Sequence, residues 1–150
     1  MIERTLNVSA IKDGTVLDHL PSNKVLLILK LLTLQEDKFI TLGINLPSKK
    51  NKKKGILKLA DRALSTSELN KIAVLAPETT VNTITNYKVT NKKKIMLKKI
   101  ESNTIKCSNP NCITNKERTL TKFEIIEKEP LRILCHFCER EMQKEEIQFL

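Results

Sequence analysis

Aromatic side chains are scarce in this 150-residue sequence, which has no tryptophan, one tyrosine and four phenylalanines. Proteins that bind single-stranded nucleic acid usually stack successive bases on several aromatic rings. Tyr87 is the one aromatic residue on a predicted β-strand of the basic part of the chain. The scarcity of aromatic residues therefore argues against a stacking platform of that kind.

The residues of common catalytic arrangements are also few. The first hundred residues contain one histidine, His19, and no cysteine, so Cys-His and Ser-His-Asp arrangements have few possible members. Asp18 precedes His19, but neighbouring side chains of a strand point to opposite faces and need not form a dyad. The three glycines stand singly, so a glycine-rich phosphate loop is absent. The sequence does not indicate an enzyme.

Membrane and export signals are missing as well. No stretch approaches the roughly 20 uncharged apolar residues that a membrane-spanning helix requires. The first eight residues, M-I-E-R-T-L-N-V, carry an early acidic residue and lack the apolar core of a secretory signal. Cysteines stay reduced in the cytosol, and the absence of a secretory signal points to the same compartment. We therefore expect a cytoplasmic protein.

All four cysteines lie in the last third of the chain, in two close pairs separated by 22 residues. Two such knuckles can place four sulfur atoms at the corners of a tetrahedron, the geometry of a closed structural zinc site. Disulfides, a redox C-x-x-C pair and unrelated buried thiols explain the paired spacing less well. His136 lies inside the second knuckle, but four sulfurs already complete the shell. We expect one structural Zn²⁺ per chain, held by Cys107, Cys112, Cys135 and Cys138.

The net charge of +10 is distributed unevenly. Residues 1–100 hold 19 Lys and Arg against 8 Asp and Glu, whereas residues 101–150 hold 8 against 9. A zinc module that binds nucleic acid usually carries the positive charge itself, because phosphate contacts supply most of the affinity. The neutral module, with apolar residues at Phe123, Ile125, Ile126, Ile133 and Leu134, is more typical of a surface that docks another protein.

Two lysine runs account for much of the basic charge. The run at 49–54 contains no apolar residue and is predicted as a solvated loop between two strands, with binding of a polyanion as the alternative. The second run, from Lys92 to Lys99, is predicted as the connector to the cysteine-containing module. These runs keep open a second hypothesis, a basic zinc-ribbon protein that binds nucleic acid.

Hydrophobic periodicity predicts an α+β fold for the first hundred residues. Apolar residues alternate at Leu6, Val8 and Ala10, which predicts a strand, and a further short extended piece follows at 15–18. The later elements are a helix over 24–32, strands at 40–46 and 56–59, a helix from a capping box at 65–68 to Pro77, and strand pieces at 80–84 and 87–89. The order β-α-β-β-α-β is that of a ferredoxin-like domain, in which two helices cover an antiparallel sheet. A small, mainly antiparallel β zinc-binding domain follows.

Five blocks of sequence resemble one known family in the same order along the chain. They are A-I-K-D-G-T-V-L-D-H-L-P from Ala10, I-T-L-G-I-N-L-P-S from Ile40, A-P-E-T-T-V-N-T-I-T-N-Y-K-V from Ala76, C-S-N-P-N-C-I-T from Cys107 and C-H-F-C-E from Cys135. Together they closely resemble the regulatory chain of aspartate carbamoyltransferase, over essentially all 150 residues. The lysine run at 49–54 is denser than the pattern of this family.

The resemblance implies a non-catalytic regulatory subunit in pyrimidine biosynthesis. It implies a nucleotide-binding allosteric domain at residues 1–99 and a zinc-binding domain at 100–150 that docks on catalytic chains. Regulatory chains of this family form dimers that bridge catalytic trimers. Nucleoside triphosphates bind the allosteric domain, where CTP inhibits and ATP activates.

The resemblance also implies roles for individual residues of the nucleotide site. Ala10, Ile11 and Tyr87 would lie near the base, mainly through backbone groups. Asp18 and Lys58 would hold the ribose hydroxyls, and His19 and Lys92 would face the phosphates. The remaining positions that would line the same pocket are Val16, Lys54, Asn82, Ile84 and Val89.

Overall fold

A computed structural model describes residues 8–36 and 38–150 of the chain. The chain divides into two compact units, residues 1–96 and residues 97–150, which are described separately below. Among the described residues, no helix is long and apolar enough to span a membrane. The longest of the described helices has ten residues.

The first unit is a five-stranded antiparallel sheet with two helices, and its strand order is β2-β3-β1-β4-β5. Its elements are β1 (Gly14–Leu20), α1 (Val25–Leu31), β2 (Ile40–Ser48), β3 (Lys52–Ala60), α2 (Thr66–Leu75), β4 (Thr80–Thr85) and β5 (Lys88–Lys94). The first six elements follow the β-α-β-β-α-β order, which confirms the predicted fold class, and β5 extends the sheet at the β4 edge.

Alternate residues of the two central strands form the core of this unit. Leu17 of β1 and Leu57 of β3 are fully buried on one face of the sheet, where the period of two in side-chain direction places them together. The helices bury Ile28 and Ile72, which are likewise fully buried. A Cβ atom at Gly55 of β3 would lie 2.1 Å from a methyl carbon of α1, so α1 packs directly against this strand.

Helix α2 begins as the sequence predicts. The Ser65 hydroxyl accepts a hydrogen bond from the Glu68 N–H at 3.2 Å, and the Glu68 carboxylate accepts one from the Ser65 N–H at 2.9 Å. This reciprocal capping box satisfies two backbone donors that have no partner within the helix. Pro77, just beyond the helix, cannot continue it because it has no N–H.

The strand predicted around residues 6–10 is wrong where the structure describes it. Leu6 lies outside the described residues, and Val8, Ser9 and Ala10 form no strand. The carbonyl oxygens of Val8 and Ser9 instead accept hydrogen bonds from the Lys58 ammonium, at 3.4 and 2.6 Å. Among the described residues the first strand is β1, which buries Val16, Leu17 and Leu20.

Each lysine run is partly as predicted and partly in a strand. Residues 49–51 form the turn between β2 and β3, and residues 95–99 form no helix or strand, but the other residues of the two runs pair in the sheet. Residues 52–54 open β3 and residues 92–94 end β5. An antiparallel sheet can leave one face in water, so lysines on that face are compatible with a strand. Pro47, predicted to end its strand, lies within β2, an edge strand that tolerates the missing N–H.

The second unit is mainly antiparallel β-structure, as predicted. Its elements are β6 (Ile105–Lys106), α3 (Ile113–Lys116), β7 (Phe123–Lys128), β8 (Leu131–Cys135), β9 (Glu141–Gln143) and β10 (Gln148–Phe149). Strands β7, β8 and β9 form one sheet, and β6 pairs with β10. Ile105, Ile133 and Met142 are fully buried and form the centre of a small core.

Candidate metal centre and ligand-binding face

Four cysteine sulfurs converge in the second unit. Cys107 follows β6, Cys112 precedes α3, Cys135 ends β8, and Cys138 lies in the turn that leads to β9. All four are free thiols, and their sulfur atoms lie within 4.8 Å of one another. The Sγ atoms of Cys107 and Cys138 are 3.6 Å apart, and those of Cys112 and Cys135 are 3.8 Å apart.

These distances match the requirements of tetrahedral zinc. With Zn–S bonds of about 2.3 Å, a tetrahedral ion holds its sulfur ligands about 3.8 Å apart. Three of the four cysteines are buried, so the site is closed, as a structural site must be. The donor set therefore fits one zinc ion, and the Cys107–Cys138 and Cys112–Cys135 pairs already have the spacing that the ion requires.

Backbone amides support these sulfurs as a second shell. The Asn109 N–H donates to the Cys107 sulfur at 3.5 Å, and the amides of Phe137 and Cys138 donate to the Cys135 sulfur. The Arg140 amide donates to the Cys138 sulfur. Such N–H donors stabilise thiolates that carry negative charge and fix their orientation toward a metal.

Two further residues of the site were not found from the sequence. The Thr114 hydroxyl donates to the Cys112 sulfur at 3.2 Å. The Asn115 amide donates to the carbonyl oxygens of Cys107 and Asn109, at 2.8 and 2.7 Å, and so closes the first knuckle. The sequence could have indicated both residues, because they follow Cys112 by two and three positions, within reach of the first knuckle.

The protonation of the thiols depends on their surroundings. Burial raises the pKa of the Cys107 thiol, and hydrogen bonds with neighbouring thiols add to that rise. Burial likewise raises the pKa of Cys135. At Cys138 burial opposes ionisation, but hydrogen bonds led by the Arg140 amide outweigh it and lower the pKa to about 7. A coordinated divalent cation deprotonates thiols outright, so zinc would hold all four as thiolates.

His136 is not among the clustered ligands. Its Nδ1 atom lies 3.6 Å from a carboxylate oxygen of Glu124, and its ring packs edge-on against Phe137 with centroids 5.4 Å apart. The half-exposed ring therefore has partners other than a metal, in agreement with its predicted role as a bystander.

A row of three polar residues and the buried Val16 crosses the sheet face of the first unit that lies opposite Leu17 and Leu57. Strand pairing aligns Lys58 with Val16, Val16 with Asn82, and Asn82 with Lys92. These four residues come from β3, β1, β4 and β5, and paired residues of neighbouring strands share a face. The structure therefore brings four of the predicted nucleotide-site residues into one line.

Asp18 and Lys54 form an ion pair at the end of β1. The Lys54 ammonium lies 2.7 Å from Asp18 Oδ1, and the His19 backbone N–H donates to the same oxygen at 2.7 Å. Burial opposes ionisation of Asp18, but Lys54 and the His19 amide outweigh it and lower the pKa of Asp18. Burial lowers the pKa of the nearby Lys58 ammonium, and the charge of Asp18 partly offsets that effect.

Two buried polar atoms on these elements lack a hydrogen-bond partner among the residues that the structure describes. They are Asn82 Oδ1 and His19 Nδ1. The latter lies 3.8 Å from Asp18 Oδ2, which is too far for a hydrogen bond. Buried polar groups without partners are costly, and most of those in native proteins bind protein groups or ordered water.

The residues predicted near a base lie toward the opposite ends of these strands from Asp18, around the β4–β5 turn. The Tyr87 N–H donates to the Lys12 carbonyl oxygen at 2.8 Å, which places the segment that contains Ala10 and Ile11 along the β4–β5 turn. Ile84 pairs with both Gly14 and Val89. The side chains of Tyr87 and Val89 are 66% and 57% exposed, so they offer apolar surface to a ligand. Ala10 is exposed and Ile11 half-buried.

Two family models match the chain. One, described as "Aspartate carbamoyltransferase regulatory chain, allosteric domain", matches residues 6–96. The other, described as "Aspartate carbamoyltransferase regulatory chain, metal binding domain", matches residues 98–148. Their two matches together span most of the chain, and the second contains all four clustered cysteines.

Individual relatives are similar over nearly their full length. A protein of Pyrococcus abyssi is 50% identical over 145 residues, which make up 95% of each chain. A protein of Phocaeicola vulgatus is 44% identical over 149 residues, 99% of this chain and 96% of its own. A protein of Methanococcus maripaludis is 44% identical over 139 residues, 93% of this chain and 94% of its own. Each is named aspartate carbamoyltransferase regulatory chain.

Proposed function

Because this chain belongs to the family of aspartate carbamoyltransferase regulatory chains, we propose that the sheet face that carries Lys58, Asn82 and Lys92 binds nucleoside triphosphate effectors. The chain is a non-catalytic regulatory subunit with an allosteric domain and a metal-binding domain, and catalytic chains of that enzyme are its partners. The alternative of a nucleic-acid-binding zinc protein finds no support in these matches.

The observation that carries the effector site is the row from Lys58 through Asn82 to Lys92. Lysines flank a buried Asn82 oxygen that has no partner among the described residues, so cations and an acceptor converge on one face. Asp18 accepts hydrogen bonds as a carboxylate and suits the ribose hydroxyls, which Lys58 also approaches. His19 and Lys92 would bind the phosphates, since charge-assisted hydrogen bonds to phosphate are strong.

The other predicted residues of the site complete this arrangement. Ala10, Ile11 and Tyr87 would contact the base. Their backbone N–H and C=O groups can form hydrogen bonds with the edge of the base, so no charged side chain is needed there. Val16, Ile84 and Val89 would supply apolar contact, and Lys54 would orient Asp18 through their ion pair. CTP would inhibit and ATP would activate, because an effector shifts an equilibrium by its different affinities for two states.

The metal-binding domain would dock on catalytic chains. Phe123 and Ile133, expected on its docking surface, are buried in its core, whereas Ile126, Leu120 and Phe137 expose apolar surface.

We assign residues 1–99 to the allosteric domain and 100–150 to the docking domain. Two regulatory chains would pair through their allosteric domains and bridge catalytic trimers, in the cytoplasm, where thiols stay reduced.

Calorimetric titration of the purified chain tests the effector site. We expect CTP and ATP to bind more tightly than CMP and AMP, and Lys92→Ala to abolish most of that binding. Lys98→Ala, which removes the same charge at an exposed position outside the first unit, serves as the matched control. Equal affinities for mono- and triphosphates, or equal losses in both variants, would contradict the proposed site.

A further inference from the structure

Three charged side chains from separate segments meet at one end of the allosteric sheet. Glu78 lies between α2 and β4, Lys50 in the β2–β3 turn, and Lys94 at the end of β5. A single carboxylate oxygen, Glu78 Oε2, lies 2.9 Å from the Lys94 ammonium and 3.3 Å from that of Lys50. We call these three residues the Glu78 cluster; Lys50 belongs to the lysine run at 49–54, of which the proposed effector site uses only Lys54.

The cluster lies beside the proposed phosphate-binding position. Strand pairing aligns Asp18 with Thr80 and Thr80 with Lys94, the next row after the one that contains Lys92. Lys92 and Lys94 are two residues apart on one strand, so their side chains share a face at a spacing of about 6.7 Å. A phosphate chain that begins at Lys92 and extends along β5 therefore reaches Lys94.

The charges in the cluster oppose each other in their effect on an anion. Two ammonium groups attract phosphate, and each retains further donors beyond its bond to Glu78. The Glu78 carboxylate repels phosphate and competes for the same donors. Hydrogen bonds from Lys94 and Lys50 hold the pKa of Glu78 below its usual range, so it stays ionised at neutral pH.

We propose that the Glu78 cluster is a second phosphate position of the effector site, in which Glu78 limits the affinity gained from the terminal phosphates. The inference rests on the proposed effector function. It adds an explanation of how the effector site distinguishes nucleotides by their number of phosphates. A monophosphate ends at Lys92 and does not contact the cluster. A triphosphate reaches Lys94 and Lys50 and must displace the Glu78 carboxylate from them.

Two classes of variant separate this role from that of an ordinary surface ion pair. Glu78→Gln keeps the size of the side chain and removes its charge. It should strengthen triphosphate binding about three- to tenfold, the effect of one or two exposed charge interactions. Monophosphate binding should change less, because that ligand does not contact the cluster and feels its charge only through solvent. Lys50→Gln and Lys94→Gln should weaken triphosphate binding more than monophosphate binding.

Calorimetry of the full chain with AMP, ADP, ATP and inorganic triphosphate provides the test. Glu36→Gln, at an exposed position between α1 and β2, removes the same charge from the same unit and is the matched control. Thermal unfolding of each variant confirms that it is folded. The expected result is an ATP-to-AMP affinity ratio that rises in Glu78→Gln alone, together with tighter binding of inorganic triphosphate.

The outcomes distinguish the inference from the function on which it rests. If nucleotides bind and Glu78→Gln leaves the ATP-to-AMP ratio at the level of Glu36→Gln, the cluster role is wrong and the effector site stands. If nucleotides fail to bind but inorganic triphosphate binds more tightly to Glu78→Gln, the effector function is wrong and the anion position stands. Absence of binding by every probe overturns both.

Discussion

Removal of the metal should unfold the metal-binding domain and leave the allosteric domain folded. The perturbation is chelation, or the Cys112→Ser variant, which removes a sulfur ligand that is 1% exposed. Two sulfurs precede the β7–β8 hairpin and two follow from the end of β8, so a bound metal joins two knuckles that lie 22 residues apart in the sequence. Without the metal, the four thiols would lose the ion that they coordinate, and three of them would stay buried without it.

Two magnitudes decide the outcome. In a domain of this size the hydrophobic core rarely supplies more than about 3–5 kcal/mol, and a small core supplies less. Binding of structural zinc supplies about 10–16 kcal/mol in small zinc modules. Seven buried apolar residues other than cysteine make up the core of residues 97–150, too few to offset the loss of the metal. The allosteric domain contains no cysteine and has its own core, so its stability should not change.

Hydrogen exchange measured by mass spectrometry resolves the two domains in one experiment. After chelation, amides of β7, β8 and β9 should exchange at rates close to those of an unfolded peptide, while amides of β1 and β3 stay protected. Thiol titration should find four reactive cysteines instead of none. Mixing with catalytic trimers should then yield no large complex, and adding Zn²⁺ back should restore it.

The reasoning would be refuted by one clear result. If the chelated chain, shown by elemental analysis to be free of metal, kept slow exchange in β8 and still assembled with catalytic trimers, the metal would not determine the fold. Cys112→Ser should behave like the chelated chain. Ser108→Ala, at a half-buried position next to Cys107 that supplies no sulfur, is the control that should retain zinc and assembly.

Three smaller predictions follow from the allosteric domain. Ser65→Ala should destabilise that domain by about 1 kcal/mol through loss of the helix cap, whereas Thr66→Ala, inside the helix, should not, as thermal unfolding can show. Gly55→Ala should cost about 1–3 kcal/mol, because its Cβ would lie 2.1 Å from a carbon of α1. The folded pKa of Asp18 is depressed, so its contribution to stability is present above its ordinary pKa of 3.8 and is lost as pH falls through the folded value. Lys54→Met should raise the pKa of Asp18 toward 3.8 in an NMR titration, and an unchanged value would contradict the role of the ion pair.

Local patterns predicted several elements because their causes are local. The capping box of α2 needs two side chains three residues apart, and the Ser65 and Glu68 contacts are those expected from that spacing. Alternation at Ile40, Leu42 and Ile44 predicted β2 in the same way. Paired cysteines predicted the metal centre because knuckle geometry depends on a few consecutive residues.

Predictions failed where two conformations use the same residue types. Alternation around Val8 is compatible with a strand, but strand formation requires a partner, and Lys58 takes up the carbonyl oxygens of this segment instead. Lysines suit an exposed loop and the wet face of a sheet equally well. The pairing of β3 with β2 and of β5 with β4 decided between them for the runs at 52–54 and 92–94.

The sequence by itself predicted the fold class, the four clustered cysteines and, through its resemblance to one family, the residues proposed for the effector site. Only the tertiary structure decided that Lys58, Asn82 and Lys92 share one row and that Glu78 contacts both Lys50 and Lys94. The physical reason is strand register. Register depends on the hairpin turns and on register shifts such as the one between Leu17 and Leu20 of β1. It therefore pairs residues that are far apart in the chain.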